Sequence, residues 1–292
     1  MILIHRKTAG AVLAGALLCG TAACSGGTKS QEAQGDGQVA QKPVTVSPVA
    51  AVKRAVDRSA KLSSFSYRMK GQVPGAGAVE GQASMTVKPV TMQMKMKQNG
   101  AGEKAEVEMR LVGGAMYINA GKKAAAELDG KTWIKFDLSA MGKNGQNPMA
   151  GIGEQADRNP TEDSASMSEA KDLKKLGEET VDGVRTTHYA GTVPLSAMRQ
   201  NLKNGDPGAR QRREKAIERY EQMGIKAVTM DMWVDGTEQT KQFRSRAATD
   251  KGPLDLTVTF VDYNKPVVVK APPAAETADL AEMLKGAGSG SA

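Results

Sequence analysis

The chain lacks most of what covalent catalysis needs. Its 292 residues include two cysteines, Cys19 and Cys24, so the chain beyond Cys24 has no thiol nucleophile, disulfide or cysteine metal site. It has two histidines, His5 and His188. There is no Gly-x-Ser-x-Gly elbow, no His-Glu-x-x-His pair, no Walker loop and no strand-linked Gly-x-Gly-x-x-Gly. The chain is therefore read as non-enzymatic, with no metal and no cofactor. Aromatic residues make up 4% of it, so other side chains must fill the interior. No basic cluster interleaves with aromatics and no nucleic-acid module is present, which argues against a nucleic-acid partner.

What the chain does have is a core-forming composition, 40% hydrophobic and 25% charged, with a formal charge of +8. Arg6 and Lys7 lie in a segment expected to be removed, so +8 less 2 leaves +6. A diffuse excess of this size is read first as ordinary solvated lysines, and secondly as favouring anionic surfaces such as membrane headgroups.

The first residues read as an address. "MILIHRKTAGAVLAGALLCGTAACSGG" opens with His5, Arg6 and Lys7, continues with an apolar run from Ala9 to Leu18, and reaches Cys24 through small residues. Residues 1–23 are the pattern of a secretory signal peptide, with an apolar stretch too short to span a bilayer. Thr21-Ala22-Ala23-Cys24 resembles a bacterial lipobox, with Thr21 where Leu is usual. That resemblance implies that the Cys24 thiol carries a diacylglyceryl group, with acyl chains of the palmitate kind. Cys24 is then the mature N-terminus of a protein anchored on the extracytoplasmic face of the cell membrane. Two chains anchor stably, at about 0.8 kcal/mol per buried CH₂. Residues 24–46 are rich in Gly, Ser, Gln, Thr and Pro and read as a disordered tether. A coil of this length spans about 25 Å and stretches to about 75 Å.

Residues 47–286 carry the folded domain, and 287–292 a flexible tail. Ser47 and Pro48 start a helix whose apolar face is expected to be Val49, Val52, Val56 and Ala60. About ten strands follow at hairpin spacing, with turns at Asn99-Gly100, Asp182-Gly183 and Asp235-Gly236. Helices are expected between 194 and 224 and near the C-terminus, and loops with a short helix between 140 and 171. No strand–helix–strand alternation occurs, so the fold class is α+β, one large curved antiparallel sheet with a few helices.

The candidate site is the dry side of that sheet. In "TMQMKMKQN" Met92, Met94 and Met96 alternate with Gln93, Lys95 and Lys97. The same alternation directs Phe65, Tyr67, Met69, Met85, Met109, Leu111, Met230 and Met232 inward. These eleven residues form a candidate apolar lining, because methionine adapts to irregular apolar shapes. The alternative is an ordinary core under a helix. Lys95 and Lys97 are expected opposite Glu106 and Glu108 on the wet side. His188 is expected to be a paired structural histidine, and Asp231 and Asp235 to be solvated outer-face residues.

The segments "LSSFSYRM", "GKTWIKFDLSAMG", "LGEETVDGVRTTHYAGTV", "VTMDMWVDGTEQTKQFR" and "LTVTFVDYNKPVVVKAPP" together resemble the LppX/LprG-type cell-wall lipoproteins. These belong to the LolA/LolB-like half-barrel superfamily. The resemblance implies a half-barrel sheet wrapped around helices and enclosing an apolar cavity for acyl chains. It implies lipid or lipoprotein handling outside the cytoplasmic membrane, with lipid chains or an envelope protein as partner. The alternative is a sensor or protein-interaction lipoprotein on the same fold without lipid cargo.

Overall fold

The structure is a computed structural model that describes residues 46–75, 77–100, 103–138, 164–203 and 207–283. The expected signal peptide, Cys24, nearly all of the tether and the tail from 287 lie outside the described residues. Helix α1 (Pro48–Ser59) starts as expected, with the Ser47 hydroxyl accepting a hydrogen bond from the Ala50 N–H at 3.2 Å. Its buried face is Val52, Ala55 and Ser59, while Val49 is 47% exposed. The expected face is thus rotated. The small Ala55 and Ser59 let the helix approach its neighbours, with Val56 packed at the margin of the same core.

Among the described residues twelve strands form one sheet in the order β12-β6-β5-β4-β3-β2-β1-β11-β10-β9-β8-β7. The first meander contains β1 (Ser64–Val73), β2 (Gly77–Val87), β3 (Val90–Gly100), β4 (Glu103–Val112), β5 (Ala115–Asn119) and β6 (Trp133–Asp137). A short helix α2 (Gly121–Ala125) separates the last two. The second meander contains β7 (Lys174–Val181), β8 (Val184–Pro194), β9 (Ala227–Asp235), β10 (Thr240–Ala247) and β11 (Leu254–Tyr263). Between β8 and β9 lie helices α3 (Leu195–Gln200) and α4 (Pro207–Gln222). The meanders join where β1 pairs antiparallel with β11. They come close there: a Cβ on Gly71 would lie 1.9 Å from the Asp255 carbonyl oxygen. Bulges at Ser66/Tyr67, Thr240/Gln242 and Lys175/Gly177 add twist, and the result is an open curved sheet.

The sequence reading missed the twelfth strand. β12 (Thr277–Asp279) pairs parallel with β6, not antiparallel. After β11 the chain returns across the outside of the first meander as an extended strap with Pro266, Pro272 and Pro273. The Ser64 hydroxyl donates to the Lys265 carbonyl at 2.6 Å, and an Arg110 N–H donates to the Lys270 carbonyl at 3.2 Å. The strap arrives at β6 running in the same direction. Three residues offer too little periodicity to be read as a strand.

The wet face of the first meander keeps its expected register. Lys95 opposes Glu108 and Lys97 opposes Glu106, and the Lys95 ammonium lies 3.5 Å from the Glu108 carboxylate. Across four strands Lys70, Glu80, Lys97 and Glu106 form a row of alternating sign. A one-residue slip would put these charges on the dry face, so the row and the methionines specify the same register.

The dry face carries two cores. One sits on β8, β9 and β10 and takes in Val52 and Ala55 of α1, Leu195 and Met198 of α3 and Ile217 of α4. Met167, in a 3-10 turn at Ser166–Glu169, completes its cover. The other sits on β1–β6 and β11.

Candidate functional site

All eleven candidate lining residues share the dry face. Met92 faces Met85 and Leu111; Met94 faces Ala83 and Met109; Met96 faces Gly81 and Val107. Phe65 faces Met85, Tyr67 faces Ala83 and Phe260, and Met69 faces Gly81 and Val258. The row continues through Phe243 to Met232 on β9.

The structure divides this set. Phe65, Tyr67, Met85, Met92, Met94, Met109 and Leu111 are buried together on the first meander, with Met69 at the margin. Met230 and Met232 are buried in the other core, among residues of the helices. Grouping them with the β3 methionines is corrected accordingly: they share a face, but a helical layer of the same chain occupies their side of it. Met96 is half-buried and belongs to neither core.

Sequence reasoning left several members of the first-meander core off the lining. Met116, Phe136, Val258 and Phe260 are buried there. Phe136 in "WIKFD" and Phe260 in "LTVTFV" carried the same two-residue alternation, so the signal was present. Phe260 sits at the junction of the meanders, with ring centroids 5.9 Å from Phe65, 6.3 Å from Tyr67 and 5.7 Å from Tyr263. The Tyr263 hydroxyl donates to the Thr240 carbonyl, and burial pushes the phenol well above its ordinary value.

The two cores differ in what lies over the sheet. Among the described residues, every side chain in or against the first-meander core lies in a strand except Leu62, Leu138 and Leu280. A described pocket of about 600 Å³ lies on the opposite, wet face. The row Lys70, Glu80, Lys97 and Glu106 lines it, together with the Arg68–Asp182 ion pair.

The second meander has a polar network on its outer side. His188 Nδ1 lies 2.7 Å from a Glu179 oxygen, and Nε2 lies 2.9 Å from an Asp231 oxygen. Carboxylates only accept, so each ring nitrogen faces an acceptor. Trp233 stacks on the ring at 4.2 Å and donates its indole N–H to Glu179 at 2.8 Å. Those bonds, the indole's first and the imidazole's second, hold the Glu179 carboxyl below the ordinary carboxylate range. Asp231 also accepts from Arg246 at 2.5 Å and is 4% exposed. The expectation of a solvated Asp231 is therefore wrong. It faces outward, but His188, Arg246 and the neighbouring strands enclose it. His188 is paired, as expected, and ties edge strand β7 to β8 and β9.

No family model matches the chain. It is 31% identical over 260 residues to a 31.2 kDa Streptomyces griseus protein of uncharacterised function, from the rplA–rplJ intergenic region. That match covers 83% of this chain and 82% of the relative. The chain belongs to one family with that protein. A Streptomyces coelicolor relative, named as a candidate lipoprotein, is 28% identical over 249 residues, covering 82% of this chain and 76% of the relative. Among solved structures the chain is similar to LprF from Mycobacterium bovis, with a TM-score of 0.48, 14% identity, and coverage of 77% of this chain and 96% of that one. It is also similar to the Mycobacterium tuberculosis lipoprotein LppX, with a TM-score of 0.45, 14% identity, and coverage of 76% and 98%.

Proposed function

We propose that the chain is an envelope lipoprotein, held by lipidated Cys24 at the extracytoplasmic face of the membrane, and that it binds acyl chains without turnover. The binding surface is the dry face of the first meander: Phe65, Tyr67, Met69, Met85, Met92, Met94, Met96, Met109 and Leu111. The observation that carries this reading is the contrast between the cores. Helices of the same chain lie on the β9 methionines, whereas the described partners of the β2–β5 methionines are almost all strand residues. Thioethers re-pack around irregular apolar shapes, which suits flexible acyl chains. Moving a sixteen-carbon chain from water to such a surface is worth at most ~12 kcal/mol. Withdrawing it from a bilayer gains little, so delivery relies on fit or on a second protein.

The test is native mass spectrometry of the full mature chain, before and after incubation with mixed lipid micelles, with extraction and identification of any bound lipid. Bound acyl lipid that is lost on replacing Met92 and Met94 with Asp supports the reading. A homogeneous ligand-free mass that takes up nothing overturns it and favours a protein-interaction role for the same fold.

A further inference from the structure

The methionine row of β3 does not stop inside the core. Met96, Met94, Met92 and Val90 alternate along one face, and exposure rises from 1% at Met92 to 53% at Val90, the first residue of the strand. Val90 pairs with Val87, so the row ends at the turn between β2 and β3. The turn between β4 and β5, at Gly113-Gly114, lies at the same end of the sheet, because Met92 pairs with Leu111.

The return strap crosses the outer side of this end. It is tied to β1 through Lys265 and to β4 through Lys270, so residues 266–269 pass β2 and β3. In the middle of that crossing is Val268, 76% exposed, and near the end of β11 is Val261, 45% exposed. Lysines stand among these valines. Lys88 is in the β2–β3 turn, and Lys265 and Lys270 are in the strap; all three are exposed. Toward β6 and β12 the acidic side is the richer: Asp137 and Asp279 share Lys135, at 3.4 and 3.0 Å, and Glu282 is exposed. Over β1–β4 Asp262 pairs with Lys265 at 2.5 Å, and among the described residues Lys88 and Lys270 have no ion-pair partner, which leaves that part of the end with surplus positive charge.

We propose that this end of the sheet docks on an anionic lipid surface. Val90 and Val268 enter the headgroup boundary from the two sides of the sheet, and Lys88 and Lys270 meet lipid phosphates. Exposed apolar side chains ringed by lysine are the composition that partitions to such an interface. Val90 continues the methionine row, so docking here sets the acyl-binding face directly against the source of acyl chains. The inference rests on the acyl-binding reading and extends it by naming the docking surface.

The test uses the full chain with Cys24→Ala, so that only the domain can bind, and flotation with vesicles of phosphatidylglycerol and phosphatidylcholine or of phosphatidylcholine alone. The expected result is binding to the anionic vesicles that weakens with salt. Val90→Asp with Val268→Asp should lower it at least about tenfold, and Lys88→Glu and Lys270→Glu about fivefold each. Val90→Ser with Val268→Ser serves as the milder pair, and an unchanged melting curve establishes that either pair folds. No flotation of the parent, or equal flotation of folded valine variants, overturns the proposal. Uptake of a soluble short-chain fluorescent fatty acid, without vesicles, separates the two readings. Docking variants should retain uptake. A parent that floats but takes up no probe defeats the acyl-binding reading and leaves docking standing.

Discussion

The two meanders present the same kind of dry face and complete it differently. On β8–β10 the face is covered by α1, α3, α4 and a 3-10 turn, and its core sets Val52, Val193, Leu195, Ile217, Ile225 and Val228 beside Met167, Met198, Met230 and Met232. On β1–β6 the face is lined by Met85, Met92, Met94, Met109 and Met116 with Phe65, Tyr67, Phe136 and Phe260. Branched side chains have few rotamers and suit a fixed partner such as a helix. Methionine has three rotatable bonds and suits a partner whose shape varies. The wet faces differ too. The second meander encloses Asp231 and His188 in a paired network, whereas the first carries a row of charges open to solvent. One half looks built to be rigid, and the other to accommodate.

The largest test of that contrast lies on the outer side. Asp231→Ala should cost about 3–5 kcal/mol, because it removes the enclosed acceptor shared by His188 and Arg246, whereas Glu106→Ala in the open row should cost under about 1 kcal/mol. Urea unfolding of both variants measures this, and equal costs would erase the difference between the wet faces. Next come the methionines themselves. Met232→Ala, in the helix-covered core, should cost about 2–5 kcal/mol; Met94→Ala should fall at or below about 2 kcal/mol, since soft neighbours collapse into the space. A Met94 cost as large as that of Met232 would mean that the first meander is packed as rigidly as the second.

A smaller effect concerns pH. Glu179 has a lowered folded value, so its contribution is fully present above the unfolded range, near about 4.3, and is lost as pH falls through the lower folded value. Its carboxylate is half exposed, so screening limits the effect to a few tenths of a kcal/mol. The denaturation midpoint should drop more steeply below about pH 5 in the parent than in Glu179→Gln. Parallel curves would detach the network from acid stability. The smallest effect is expected for Lys95→Gln, a few tenths of a kcal/mol, because its partner Glu108 also holds Arg110 at 2.8 Å.

Much of this was readable in the chain. Period-two alternation identified the dry side of β1–β4 and β9, and the Lys95 and Lys97 pairing with Glu108 and Glu106 followed from one hairpin. Three things were not readable. Val49, Val52 and Val56 fit a helical stripe as well as Val52, Ala55 and Ser59 do, and only docking against the sheet chooses between them. "TAD" is too short to announce a strand, and it pairs with β6 only because the strap delivers it there. Asp231 alternates with methionines like any outward residue. Its enclosure comes from His188 on β8 and Arg246 on β10, brought beside it by strand order.

By itself the sequence determined which residues face which way, since alternation is a local property of extended backbone. It also limited the chemistry, since a chain with one histidine and no cysteine after residue 24 has little to react with. Tertiary structure alone decided what opposes each dry residue. Met94 and Met232 carry the same local pattern, and only the paths of α1, α3 and α4, set by contacts far apart in the chain, put helices against Met232, whereas the described neighbours of Met94 are almost all strand residues.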